Sequence, residues 1–147
     1  MKLELCLIPT TSFYDNLRVK LPPKRWMQLS NQIRHDHYYT CELCGYTGNP
    51  NQLHAHEQWE WDDEKLTQTL KKIVCVCDTC HSTQHWGLTH TKGYNMDVFC
   101  AHAAKVNGCT QKEFMEHVEE SFKKWNERST KRWTVQFGEF EHYLDGV

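Results

Sequence analysis

Two stretches of the chain carry most of its chemistry: Cys41-Glu-Leu-Cys44-Gly45, and Cys77-Asp-Thr-Cys80-His81-Ser-Thr-Gln-His85. Two Cys-x-x-Cys pairs supply four soft thiolates, the donor set of a tetrahedral structural zinc. The second pair runs directly into His81 and His85, spaced i, i+4. On a helix that spacing places both imidazoles on one face. One short segment therefore offers half of a closed zinc site and half of an open, histidine-lined metal site. A third stretch, Leu53-His54-Ala55-His56-Glu57, brings two more histidines at strand spacing, so His54 and His56 share a face. Cys75 sits two residues before Cys77 and is a competing ligand, whereas Cys6, Cys100 and Cys109 read as core or surface thiols. His35, His37, His90, His102, His117 and His142 fall in no such pattern.

These residues need elements to position them. Leu3, Leu5 and Leu7 alternate with polar neighbours, so residues 2–8 read as a strand that Pro9 ends. Pro22 and Pro23 suit a helix start, and Trp26, Leu29 and Ile33 carry that helix toward Tyr38 and Cys41. Gly45 is free to take the positive φ of a knuckle turn. Leu53–Trp61 reads as a strand, Asp62, Asp63 and Glu64 as an exposed turn, and the β-rich run Ile73–Cys77 as the returning strand. Asp78 or Thr79 caps a helix over about 79–87 that carries His81 and His85. A helix over 96–106 ends at Asn107-Gly108. Thr110 and Glu113 form a capping box ahead of a helix whose apolar face is Phe114, Val118, Phe122 and Trp125. Trp133, Val135 and Phe137 alternate as a last strand, which is expected to pair with residues 2–8. Trp59 and Trp61 read as hairpin packing, with base stacking as the other use of an exposed indole.

Composition bounds the rest. The 147 residues suit one domain. No apolar run approaches the roughly 20 residues that span a bilayer. The N-terminal apolar stretch is too short for a signal peptide, so the chain reads as cytoplasmic. There, eight cysteines are ligands and buried thiols rather than disulfides. A net charge of −2 counts against gripping nucleic acid by bulk electrostatics. The charge is uneven, however. Basic clusters at Lys20, Lys24, Arg25, Arg34 and at Lys123, Lys124, Arg128, Lys131, Arg132 flank an acidic one at Glu57, Glu60, Asp62, Asp63, Glu64.

The order of knuckle, histidine strand, turn, strand, Cys-x-x-Cys and histidine helix resembles the four-cysteine form of the HNH endonuclease family. The matching residues are Cys41-Glu-Leu-Cys44-Gly45, Leu53-His-Ala-His56-Glu57 and Cys77-Asp-Thr-Cys80-His81 with His85. Weaker likeness extends to Asn16-Leu-Arg18, His56-Glu-Gln-Trp59-Glu-Trp61 and Trp125-Asn-Glu-Arg128-Ser129 with Trp133. The resemblance implies an α+β fold: a zinc-bound treble clef with a ββα-metal finger, a core over 41–87, and a shell formed by residues 1–40 and 94–147 that includes a terminal strand pair. It implies a structural zinc on Cys41, Cys44, Cys77 and Cys80. It also implies a second divalent metal (Mg²⁺, Mn²⁺, Ni²⁺ or Zn²⁺) on His81 and His85, completed from the first strand by His56. Family members usually carry an adjacent ligand and base on that strand, and an asparagine that orients the base. Here the adjacent pair is His56-Glu57, and Lys71 and Lys72 occupy the asparagine's stretch. Either His56 is the base, or it is a ligand and Glu57 the base, and His54 can substitute in either role. The implied activity is metal-dependent hydrolysis of DNA phosphodiesters, with RNA as a second substrate. The alternatives are a catalytically inactive zinc-stabilised module that binds nucleic acid or a protein, such as a phage or mobile-element effector, and a small zinc hydrolase with another substrate.

Overall fold

A computed structural model describes residues 1–147. The molecule is mixed α+β, with a three-stranded sheet in the order β1-β2-β3. Helix α1 (Leu17–Lys20) and helix α2 (Pro23–Asp36) come first, the latter with proline in its first turn as expected. Tyr38 and Tyr39 then adopt positive φ, which turns the chain sharply out of α2 and into Cys41. Strands β1 (Leu53–Asp62) and β2 (Thr67–Cys77) form the antiparallel hairpin, with a register shift between Gln58 and Trp59. Then follow α3 (Asp78–Gln84), α4 (Trp86–Thr91), α5 (Met96–Asn107), α6 (Gln111–Arg128) and β3 (Thr134–Gln136). None of the helices is long and apolar enough to cross a membrane.

The hairpin is packed on both sides. Val74, Val76, Cys77, Cys80, Trp86, Cys100, Phe114 and Val118 bury one core, together with Leu3. Leu17, Leu21, Leu29, Ala55, Trp59, Leu70, Ile73 and Phe137 bury the other. Burial from both faces explains why Ile73–Cys77 is one continuous apolar run rather than an alternating one. The capping box of α6 is present in both directions: Glu113 N–H donates to Thr110 Oγ1 (3.1 Å), and Thr110 N–H donates to Glu113 Oε1 (3.0 Å).

Three expectations are corrected. Residues 2–8 form no strand and belong to no sheet, and side chains of the later helices take several of their backbone hydrogen bonds. Leu3 and Asn107 exchange two bonds (2.7 and 2.9 Å), Leu5 N–H donates to His117 Nε2 (3.2 Å), and Trp125 Nε1 donates to the Ile8 carbonyl (2.9 Å). Consequently the terminal strand pair does not form, and β3 instead lies parallel to β2, with Thr67 opposite Thr134. The third correction concerns the helix expected over 79–87. It breaks at His85 into α3 and α4, and the Cys77 sulfur caps it by accepting from Cys80 N–H, in place of Asp78 or Thr79.

Candidate metal centres

The Cys41–Gly45 turn is closed by Gly45 N–H donating to the Cys41 carbonyl (3.0 Å) and by Cys41 N–H donating to Tyr46 O (2.9 Å), with Gly45 at φ +82°. Glu42 pins that turn to β2. Its N–H donates to Cys75 O (2.9 Å), and its carboxylate accepts from Cys75 N–H (2.7 Å) and pairs with Lys72 Nζ (2.8 Å). Cys41 and Cys44 are thereby held against the end of β2, where Cys77 sits one turn before Cys80.

The sulfurs of Cys41, Cys44, Cys77 and Cys80 all lie within 4.8 Å of one another, close enough to hold one metal ion such as zinc. Cys44 Sγ approaches Cys77 Sγ at 3.5 Å. The thiols of Cys77 and Cys80 hydrogen-bond Cys41 and hold its pKa far below the ordinary thiol range. A thiolate in such a nest is the species a soft cation requires. Cys75 stays outside the group: it is fully buried against Glu42, and burial pushes its thiol up to about 11.

Sequence reasoning passed over His102. From α5 its Nε2 reaches Cys80 Sγ at 3.1 Å. No spacing rule ties residue 102 to the tetrad, because the two meet only through the packing of α3 on α5. A hydrogen bond of this kind orients a ligand sulfur and tunes its charge.

The second group is His56, His81 and His85, whose ligand nitrogens likewise lie within 4.8 Å of one another. His81 and His85 approach at 3.2 Å between Nε2 atoms, helped by the helical bond from His85 N–H to the His81 carbonyl. The His56 ring stands 5.4 Å from His81 and 5.0 Å from His85, centroid to centroid. All three imidazoles are kept neutral. Burial, reinforced by His85, pulls His56 down to about 3. Burial, then His85, His56, His54 and Arg18, pulls His81 to about 2. His85 is lowered by burial and by the charges of Arg18 and Lys92. Buried neutral imidazoles with converging nitrogens are the protonation state that a borderline divalent ion selects. His54 stacks on His81 at 4.6 Å, and its Nε2 is engaged by Asp78.

His56, His81 and His85 border a cleft of about 210 Å³. Strand β1 is an edge of the sheet. Neighbouring side chains on an edge strand can reach the same opening from opposite faces, and His56 and Glu57 both line this one. Glu57 also carries the cleft's outer wall. Its Oε1 accepts from Leu17 N–H (2.7 Å) at the start of α1, the helix that bears Arg18. Burial pushes the Glu57 carboxyl up to about 7, against the pull of the Leu17 and Arg18 N–H groups and of the Arg18 charge.

Several other residues fall away from the site. Lys71 is the extra residue of the hairpin's register shift and pairs with Glu60 (3.1 Å), while Lys72 pairs with Glu42. Trp59 is the exception, buried yet lining the histidine cleft. Trp61 lies under the Arg128 guanidinium at 5.0 Å. Arg128 forks onto Asp63 with two bonds of 2.9 Å, so part of the C-terminal basic cluster is taken up by the acidic turn. The chain matches no protein-family model, no curated protein and no solved structure.

Proposed function

We propose that the chain is a metal-dependent endonuclease of the HNH type, built on a zinc-stabilised treble clef, that hydrolyses DNA phosphodiesters. The observation that carries this reading is the convergence of three neutral imidazoles, His56, His81 and His85, beside Glu57 and Arg18 in one cleft. The cysteine tetrad holds the structural zinc. The histidines hold the second ion, for which Mg²⁺, Mn²⁺, Ni²⁺ and Zn²⁺ are the candidates. Such an ion, when bound, supplies positive charge against the phosphate and the leaving oxygen. The residues then divide the remaining work. His56 serves as a ligand. Glu57, with its carboxyl near 7, is about half ionised at neutral pH and takes the proton from the attacking water. Arg18 binds the phosphate through its fork of N–H donors, and the bond from Leu17 N–H to Glu57 keeps the turn that carries it in place.

The test is cleavage of plasmid and oligonucleotide DNA by the zinc-loaded protein with each candidate ion. His81→Ala and His56→Ala are expected to abolish cleavage. Glu57→Gln is expected to slow it by roughly 10²- to 10⁴-fold, the contribution of a general base. A folded, zinc-replete protein that cleaves neither DNA nor RNA with any of the four ions would falsify the enzyme reading.

One observation favours the inactive binding module as a second reading. The Glu57 carboxyl is already engaged by backbone N–H groups of α1, and Lys71 and Lys72, in the stretch before Cys77, are occupied by ion pairs. Under that reading, Glu57→Gln leaves nucleic-acid or partner binding unchanged.

A further inference from the structure

The outer wall of the cleft carries two large aromatic side chains that the core does not use. Phe13 is 54% exposed and Tyr14 75% exposed, yet both line the cleft that contains His56, His81 and His85. Their backbone is not loose. Ser12, just before them, is buried and donates its hydroxyl to Gln68 Oε1 (2.7 Å). Asp15 N–H donates to the Ser12 carbonyl (3.0 Å), and Asn16 Nδ2 donates to the Phe13 carbonyl (3.1 Å). The two rings brace each other edge to face, 5.0 Å apart at 89°. Rigidly mounted, solvent-facing aromatics beside a polar site mark a surface built to be covered.

What covers them follows from the neighbours. Arg18 lines the same cleft, and the charge of Lys92 reaches His85, so cations and aromatic faces surround the imidazoles. That pairing suits a polymer carrying both phosphates and flat, uncharged rings. A duplex does not meet the requirement. Its base faces are covered by the neighbouring pairs and are not free to meet the two rings. Two rings at right angles also cannot both lie against one continuous base stack, but they fit successive unstacked bases of a strand that turns.

We propose that Phe13 and Tyr14 form a base-stacking platform for an unpaired DNA strand, with the adjoining phosphate drawn between Arg18 and the histidine cluster. This rests on the phosphodiesterase reading only for the fate of the strand once bound.

The experiment is fluorescence anisotropy on the 147-residue, zinc-loaded chain without added divalent ions. The probes are a short fluorescein-labelled DNA strand, the same strand as a blunt duplex, and the same sequence as RNA. The expected result is tighter binding of the DNA strand than of the duplex. Replacing a ring that stacks on a base by alanine lowers affinity roughly 5- to 150-fold, so Phe13→Ala and Tyr14→Ala should each weaken strand binding within that range. Tyr14→Trp should retain it. Duplex binding should hardly change in any of these variants. Equal affinity for strand and duplex overturns the platform, as does no strand binding at all, or alanine variants that bind like the parent. Tighter binding of RNA overturns the DNA assignment. Hydrolysis is scored in a parallel assay with added metal. Strand binding without hydrolysis keeps the platform and removes the enzyme, and hydrolysis without strand preference does the reverse.

Discussion

Acid should unfold this protein through its histidine cluster, and His56→Leu should blunt that effect. In the folded chain burial holds His56 near 3, whereas an unfolded histidine titrates near 6.5. Between those values the unfolded chain binds a proton that the folded chain refuses, so stability is complete above pH 6.5 and declines as the pH falls toward 3. Each pH unit in that window removes about 1.4 kcal/mol. At pH 5 the loss from His56 alone is about 2 kcal/mol, and His81, held down to about 2 by the same burial, adds a similar amount. Together they remove a large part of the roughly 5–15 kcal/mol that a domain of this size possesses. Leucine at position 56 keeps the volume and cannot be protonated. Urea unfolding of parent and variant carrying one equivalent of zinc, enough for the cysteine tetrad alone, at pH 7.5 and pH 5 measures the difference: the gap between the two proteins should shift by about 2 kcal/mol in favour of the variant on acidification. Parallel pH dependences would refute the reasoning. So would a parent protein that becomes more stable in acid, since the imidazoles would then be charged in the folded state.

Two further substitutions probe His102, which no spacing revealed, and Glu57, whose burial none could. His102→Ala should weaken zinc retention by roughly 10- to 100-fold while leaving helix content intact; competition with a chromophoric chelator reads this, and unchanged retention would rule out a role for the bond to Cys80. Glu57→Gln should alter stability in the sense opposite to His56→Leu. The carboxyl is raised from 4.5 to about 7, so its stabilising effect is complete below pH 4.5 and is lost as the pH rises through 7. The variant should therefore gain about 3 kcal/mol over the parent between pH 4.5 and pH 8, and urea midpoints that rise and fall together in both proteins would contradict it.

What could be read from the sequence was whatever depends on neighbours along the chain. The two Cys-x-x-Cys pairs, the i, i+4 histidines and the capping box of Thr110 and Glu113 are local patterns with one sensible geometry each; the hairpin register, with its shift between Gln58 and Trp59, is not such a pattern. What could not be read depends on contacts across the fold. Residues 2–8 alternate as a strand does, but alternation reports only that one side is buried, and Asn107 and His117 took the bonds a strand partner would have taken. The parallel seat of Thr134–Gln136 on β2 has no local signal either. Glu57 was legible as the neighbour of His56 and a candidate base, but only the folded chain brings Leu17 N–H to it. In the same way, Trp61 reads as a possible stacking surface until Arg128 is found lying on it.

The N-terminal segment, clasped by side chains from beyond residue 100, has a consequence for the order of assembly. Leu3 is held by Asn107, Leu5 by His117, Ile8 by Trp125 and Thr10 by Ser129. These bonds join positions more than a hundred residues apart, and closing such loops is slow and entropically costly. The two candidate metal clusters, by contrast, draw every side chain from Cys41–His85. On a ribosome the ligand region emerges and can close while α6 is still unsynthesised. The segment leading to Phe13, Tyr14 and Arg18 must wait for α6 before it is fastened. A nascent chain can therefore gather the ligands of both clusters before it has the wall that Phe13, Tyr14 and Arg18 form once α6 is made.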